Sequence, residues 1–332
     1  MKSFFYSLTA PRSLVLMERK LDIDAIGEYE IVGRTLATTI SPGTEFAAYI
    51  GLQSLRPCAA YPRLIGYCNV AQVVKVGKGV SGIKVGDIIS THQSHCSSFI
   101  CSMWDVLFVL APGDSPEIFS SMYIWHLGYY PYTLAPLSEG CNIGIVGLGA
   151  IGLTSLMYAD YMGYSVTGIT RRASKLELNN YFNYGNIINS QDCNSLSGVY
   201  DAVIVTSNDW GDWQLALRCA KINGKIFVVG FPGRGQEKCS FNPLDPQFFY
   251  DKQLSIFSCG APSIIYDRGY GFSNDVLVEN YNRLALMLRD VRFQPNINRV
   301  LSKKFHWRDL EIVYKNIEAR DDNFVTGVLL WE

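Results

Sequence analysis

The rhythm of apolar and polar positions changes near residue 116. Before it, short runs rich in Val, Ile and Gly alternate with turn residues. Asn69–Val76 and Val85–Ser90, punctuated by GKGVSG and VGD, read as short strands of an all-β domain. Over 117–260 the apolar runs 143–146, 164–169, 201–206 (DAVIVT), 225–230 (KIFVVG) and 254–258 alternate with stretches of helical length. Apolar strands separated by helices predict a parallel sheet covered on both faces, a doubly wound α/β domain. The tail predicts a helix over 276–290, then NINRVLSKKF, a helix over 307–318 and a last strand from Val325 to Trp331. That strand is expected to return to the first domain. The expected organisation is therefore a β domain of 1–116 and 261–332 around an α/β domain of 117–260.

Ile143–Val146 runs directly into Gly147-Leu148-Gly149-Ala150-Ile151-Gly152, a helical stretch and the strand 164–169. With strand and helix in register, GxGxxG is the dinucleotide-binding βαβ unit in its required context. Gly147 lets the strand turn sharply, Gly149 lets the backbone approach a pyrophosphate, and Gly152 allows close helix packing. The helix start at Ala150 and Ile151 offers free N–H groups and a positive dipole end to the phosphates. The second strand ends in Thr170, Arg171 and Arg172, followed by Ser174 and Lys175, with no acid between Val166 and Leu176. NAD sites carry Asp or Glu there for the ribose 2′-hydroxyl, whereas guanidiniums suit a 2′-phosphate. The pattern points to NADP(H). The alternative is a solvated turn at Arg171 and Arg172.

Composition narrows the class. A chain of 332 residues has room for two domains. A net charge of −1 gives no footprint for nucleic acid or an anionic membrane surface. No apolar run reaches the length of a membrane span, and Pro11, Arg12 and Glu18 interrupt the N-terminal stretch before a signal-peptide core forms. Nine scattered cysteines in so long a chain read as reduced thiols, hence a cytoplasmic protein.

The segments ISPGTEFAAYIG, YPRLIGYCNVAQVVKVGKGVSGIKVGDII, the glycine loop and RVLSKKFHWRDLEIVYKNI together resemble the medium-chain dehydrogenase/reductase superfamily, the relatives of zinc alcohol dehydrogenase, over essentially the whole chain. SPGTE and GYCN resemble its bacteriochlorophyllide-dehydrogenase-like branch. The resemblance implies a GroES-like β domain plus a Rossmann domain, with the active site in the cleft between them, and a homodimer. The departures bear on metal. Zinc-dependent members carry Cys-Gly-Thr-Asp and Gly-His-Glu where this chain has Pro42-Gly43-Thr44-Glu45 and Gly66-Tyr67-Cys68, and a third Cys near the position of Met122. A catalytic zinc needs three protein ligands and an open position, so a zinc-free member is expected, with no metal. A rival metal cluster, His92, His95, Cys96 and Cys101, would need a turn, because an extended strand points His92 and His95 to opposite faces.

Without zinc, a developing oxyanion needs a hydrogen-bond donor. Thr44 matches the family's proton-relay hydroxyl, or is a turn-stabilising hydroxyl. Tyr67 is a proton donor at a lost ligand position, or a core tyrosine. Glu45 is a base or a structural acceptor; Cys68 is a nucleophile or, lacking a legible base, inert. Tyr49, His95 and His126 are candidate substrate contacts, with Tyr129 beside the last. In relatives, Thr206-Ser207-Asn208 and Gly230-Phe231-Pro232-Gly233 match strand ends lining the cofactor; hence Ser207, Gly230 and Phe231 join the candidate cofactor residues, against a reading as ordinary turns. The expected function is an NADP(H)-dependent, zinc-independent oxidoreductase acting on a carbonyl or alcohol of a small biosynthetic intermediate. The alternatives are reduction of a conjugated C=C bond, a nucleotide-binding protein without catalysis, and a zinc enzyme with rearranged ligands.

Overall fold

Residues 1–53, 61–138, 140–260, 275–319 and 324–331 are described by the structure, a computed structural model. In chain order the first part forms β1 (Lys2–Ala10), β2 (Ser13–Lys20), β3 (Glu30–Thr39), α1 (Pro42–Tyr49), β4 (Arg63–Leu64), β5 (Asn69–Val76), β6 (Ile88–Thr91), β7 (Ser98–Ser102), β8 (Val106–Val109), α2 (Pro116–Phe119) and α3 (Met122–Leu134). Then come β9 (Asn142–Val146), α4 (Ala150–Tyr161), β10 (Ser165–Thr170), β11 (Gly185–Asn189), β12 (Tyr200–Val205), α5 (Trp210–Cys219), β13 (Ala220–Val228), α6 (Pro246–Lys252) and β14 (Ser255–Ser258). The tail is α7 (Asp275–Arg289), α8 (Gln294–Val300), β15 (Leu301–His306), α9 (Leu310–Glu318) and β16 (Thr326–Leu330). Two compact units result, one of Met1–Tyr123 with Ser273–Glu332, the other of Ile124–Phe272. The boundary expected at 260/261 abuts residues 261–274, which lie outside the described residues.

In the first unit a sheet runs β15-β16-β3-β5-β6-β8, with β7 also pairing β3, and a smaller one runs β2-β1-β4. The final strand pairs β3 antiparallel, Val328 opposite Thr39, and is nearly all buried. Behind it Trp307 and Trp331 stack at 5.1 Å within a core that includes Tyr6, Ile40, Tyr49 and Tyr314. The all-β expectation for 1–116 needs correction: ISPGTEFAAYIG holds the helix α1. Its start signal is local. Ser41 keeps extended backbone at the N-cap, Pro42 occupies the first helical turn, and the Glu45 carboxylate accepts the Ser41 N–H at 2.7 Å. Likewise the helix expected over 307–318 opens with a 3₁₀ turn at Trp307–Asp309.

The second unit is a parallel sheet ordered β11-β10-β9-β12-β13-β14, so chain order reverses between β9 and β12. Ligands of doubly wound folds bind at such a switch point, beyond the carboxyl ends of the strands. The helix α5 ends under a single cation. Lys252 Nζ donates to the carbonyls of Leu217, Arg218 and Ala220 at 3.0, 2.7 and 2.8 Å, covering acceptors the helix leaves orphaned. Lys252→Met is expected to remove about 2 kcal/mol of stability, read as a lower urea midpoint with an unchanged slope.

Candidate functional site

In the second unit the loop after β9 follows the glycine logic closely. Gly147 sits at φ +93°, in the left-handed region where a side chain is strained. A Cβ on Gly152 would lie 1.9 Å from the Gly147 carbonyl oxygen, so this glycine lets the first turn of α4 press on the loop itself rather than on the sheet. By contrast, a Cβ on Gly149 would meet nothing within 4 Å, and Gly149 is exposed. Open space here, directly at the N-terminus of α4 where Ala150 and Ile151 begin the helix, is what a pyrophosphate needs. Thr206 Oγ1 donates to the Gly147 carbonyl at 2.7 Å and fixes the loop from β12.

The cations after β10 have diverging environments. Arg171 is exposed but spoken for: its Nη1 and Nη2 pair with Asp209 and Asp212 at 3.3 and 3.1 Å. Arg172 is exposed, and its backbone N–H donates to Thr170 Oγ1 at 3.1 Å. Lys175, the other candidate cofactor residue of this turn, is buried. Neither acid was legible as a neighbour of Arg171, since both come from the next-but-one strand. On the strand ends, Ser207 Oγ accepts the Asp209 N–H at 3.1 Å. Gly230 packs against the Ser207 carbonyl, and the exposed Phe231 donates its N–H to Asn208 Oδ1 at 2.8 Å.

In the first unit the expected chemistry residues converge on the start of α1. The Tyr67 phenol donates to Ser41 Oγ, and Thr44 hydrogen-bonds the same phenol. Since the single Tyr67 proton goes to Ser41, Thr44 is the donor in the second bond. Burial pushes Tyr67 far above the usual phenol range, so it is a protonated donor at neutral pH. Ser41 was missed by the sequence reading. Its signal is an N-cap serine whose hydroxyl does not cap the helix, leaving it for Tyr67.

Beneath this group lies a buried polar network. Glu45 is 1% exposed and accepts from Ser41 N at 2.7 Å, from the Tyr314 phenol at 2.8 Å and from His95 Nε2 at 2.9 Å. His95 Nδ1 meets Thr38 Oγ1 at 2.8 Å, and Thr38 accepts the Trp331 indole N–H at 2.9 Å. With a His95 proton on Nε2 every partner is satisfied: Trp331 donates to Thr38, Thr38 to His95, and His95 to Glu45. Glu45 is thus a structural acceptor rather than a base. The expected substrate contacts are corrected likewise: His95 is fully buried with both nitrogens engaged. Tyr49 is buried against Phe46 and Tyr314. His126 is buried beside Tyr130, and Tyr129 packs edge-on to Tyr158.

The zinc donor set does not fit. Pro42 has no ligand atom and begins α1, the Tyr67 phenol is held by Ser41 and Thr44, and Met122 is buried in the core. The His92–Cys101 alternative fares no better. His92 lies beyond the end of β6, not in an extended strand, with Nδ1 at 3.0 Å from the Tyr67 carbonyl, while Cys96 and Cys101 pack in the sheet core. Among the described residues no three His, Cys, Asp or Glu side chains are grouped to hold a metal. Burial also drives the Cys68 thiol well above its ordinary range, so it is no ready nucleophile.

Burial lowers His92 below 6.5. The unfolded chain therefore binds a proton that the folded chain resists, and this contribution to stability is lost as pH falls through about 6.5 toward the lowered folded value. His92→Gln is expected to flatten the decline of the urea midpoint between about pH 6.5 and 5.

Strand order, glycine loop and the two-sheet β unit define a Rossmann unit accompanied by a GroES-like unit. Residues 150–268 match the family described as Zinc-binding dehydrogenase. Solved structures resemble the whole chain. A zinc-binding dehydrogenase from Sinorhizobium meliloti 1021 bound to NADP has TM-score 0.79 at 16% identity, over 99% of each chain. Galactitol-1-phosphate dehydrogenase from Escherichia coli has TM-score 0.78 at 15%, over 99% of this chain and 100% of that one. Acetophenone reductase from Geotrichum candidum in complex with NAD has TM-score 0.78 at 16%, over 99% and 97%. No curated protein matches the chain by sequence. The whole chain shares its fold with these dehydrogenases and reductases, and the family match covers residues 150–268. Among the described residues no helix is long and apolar enough to cross a membrane.

Proposed function

We propose that this chain is an NADP(H)-dependent, zinc-independent oxidoreductase that moves hydride between the nicotinamide and a carbonyl or alcohol of a small biosynthetic intermediate. Two observations support the reading, each within its own unit: an open glycine loop, and a protonated Tyr67, hydrogen-bonded by Thr44, where the family resemblance puts a zinc ligand. The Sinorhizobium protein carries NADP and the Geotrichum protein reduces a ketone, by their descriptions, which supports both halves.

When bound, the nicotinamide supplies or accepts the hydride. This chain's part is to bind the pyrophosphate at Gly149 and the start of α4, and to manage one proton. In the reductive direction Tyr67 turns its proton from Ser41 to the carbonyl oxygen, and the Thr44 hydroxyl donates to the phenolate left behind. Ser41 holds the phenol in place beforehand. The protein is taken to work in the cytoplasm as a homodimer on a small-molecule substrate, with neither nucleic acid nor membrane as partner. The edge strand β14, which turns Ile256 to solvent, offers a surface for a second copy.

The test is titration of purified protein with NADPH and NADH, followed by turnover with ketones and with enones. Binding of NADPH with ketone turnover supports the reading; enone turnover alone replaces it with C=C reduction, and binding without any turnover with a non-catalytic protein. Stoichiometric zinc by elemental analysis would defeat the zinc-free part. Tyr67→Phe is expected to lower kcat by about 10²–10⁴ while leaving the NADPH Kd unchanged. A kcat within about twofold of wild type rules Tyr67 out as the proton donor.

A further inference from the structure

The ion pair at Arg171 is placed oddly for a residue meant only to greet a 2′-phosphate. Arg171 follows the last residue of β10, whereas Asp209 and Asp212 follow the end of β12. In the sheet these strands flank β9 on either side, and β9 is the strand that feeds the glycine loop. The guanidinium therefore links two strand ends that stand on opposite sides of the loop, across the switch point where a dinucleotide lies in this fold. Arg171 is 58% exposed at its side chain, while Asp212 is 12% and Asp209 26% exposed. The acids are the fixed members. Asp209 Oδ1 caps α5 through the N–H groups of Gly211 and Asp212 at 2.8 and 3.2 Å, and its Oδ2 also accepts from Gln236 Nε2 at 2.9 Å. Asp212 sits in the first turn of the same helix.

From this geometry we infer that Asp209 and Asp212 are the residues that set how strongly the chain prefers NADP(H) over NAD(H), by restraining Arg171 from the 2′-phosphate. The inference rests on the dinucleotide-binding reading above. A 2′-phosphate brought to a clamped Arg171 meets two carboxylates at the same cation, and like charges repel. If Arg171 swings out to the phosphate instead, it leaves a largely buried Asp212 without its counter-charge, which is unfavourable. Both routes weaken NADP(H) and leave NAD(H), which brings no phosphate there, nearly untouched. Specificity here is set by a repulsive element as well as an attractive one.

The test is nicotinamide-fluorescence titration of the full chain with NADPH and NADH, for wild type, Asp212→Asn, Asp209→Asn, Arg171→Gln and Arg172→Gln. Asparagine keeps the helix cap at 209, so this variant stays informative if the change at 212 impairs folding. The expected result is a tightening of NADPH by about tenfold in each acid variant, with NADH changed by less than about threefold. Arg171→Gln is expected to weaken NADPH because it leaves two carboxylates near the 2′-phosphate without their cation, and Arg172→Gln to weaken it by removing a neighbouring cation. Acid variants whose NADPH:NADH ratio stays within about twofold of wild type overturn the inference, as does an equal tightening of both nucleotides, which would mean a simple steric strap. Failure of the underlying reading shows separately, as wild type binding neither nucleotide.

Discussion

Gly152→Ala is expected to weaken NADPH binding by more than about 100-fold and to lower the melting temperature, a larger effect than at any other glycine of the loop. The added Cβ would lie 1.9 Å from the Gly147 carbonyl oxygen, a backbone atom that cannot rotate away. Either α4 moves off the loop or the loop loses the turn that Gly147 makes at φ +93°, and both misplace the N–H groups at the start of α4 that the proposed pyrophosphate site uses. Gly149→Ala is the informative contrast. Its Cβ meets no protein atom within 4 Å and its φ is −75°, which alanine adopts freely. That variant is expected to keep or gain stability, by about 0.5 kcal/mol, while losing nucleotide affinity because the methyl occupies the space of the phosphate. Fluorescence titration and thermal melts on both proteins separate packing from binding; equal melting temperatures would contradict the packing role assigned to Gly152.

Glu45→Ala is expected to remove about 3–5 kcal/mol of stability, the largest loss among single changes in the first unit. The carboxylate is buried at 1% exposure and accepts the Ser41 N–H, the Tyr314 phenol and the His95 ring. Deleting it leaves three buried donors without an acceptor and a cavity between α1 and α9. Because Ser41 and Thr44 stand at the start of α1 and hold the Tyr67 phenol, turnover is expected to fall along with stability. Glu45→Gln keeps the shape and one acceptor oxygen, so it should lose less. Urea midpoints measure the first effect, and kcat at a temperature where the variants remain folded measures the second. A loss below about 1 kcal/mol in the alanine variant would mean that water replaces the carboxylate.

Local pattern carried far in the second unit because its chemistry is local. Continuous apolar strands, the spacing of Gly147, Gly149 and Gly152, and helix-length intervals are short-range features, and five of the six strands of the sheet β11-β10-β9-β12-β13-β14 follow from them; the edge strand β11, short and half polar (GNIIN), does not. The start of α1 was also written in sequence, as Ser41-Pro42 with Glu45 reaching back, although the surrounding strand pattern masked it.

What only the tertiary structure decided is which distant side chains share a site. The sequence by itself determined the glycine loop between β9 and α4 and placed Pro42 and Tyr67 where the resemblance puts zinc ligands. It did not determine that Asp209 and Asp212 hold Arg171, because the absence of acids within one strand end says nothing about those from another. Nor did it determine that Glu45 meets Tyr314, 269 residues away, or that Thr38 joins His95 to Trp331, which lies 293 residues from Thr38. A buried polar group must find its partner wherever the fold brings one, and pairing across such separations is fixed by packing that no periodicity records.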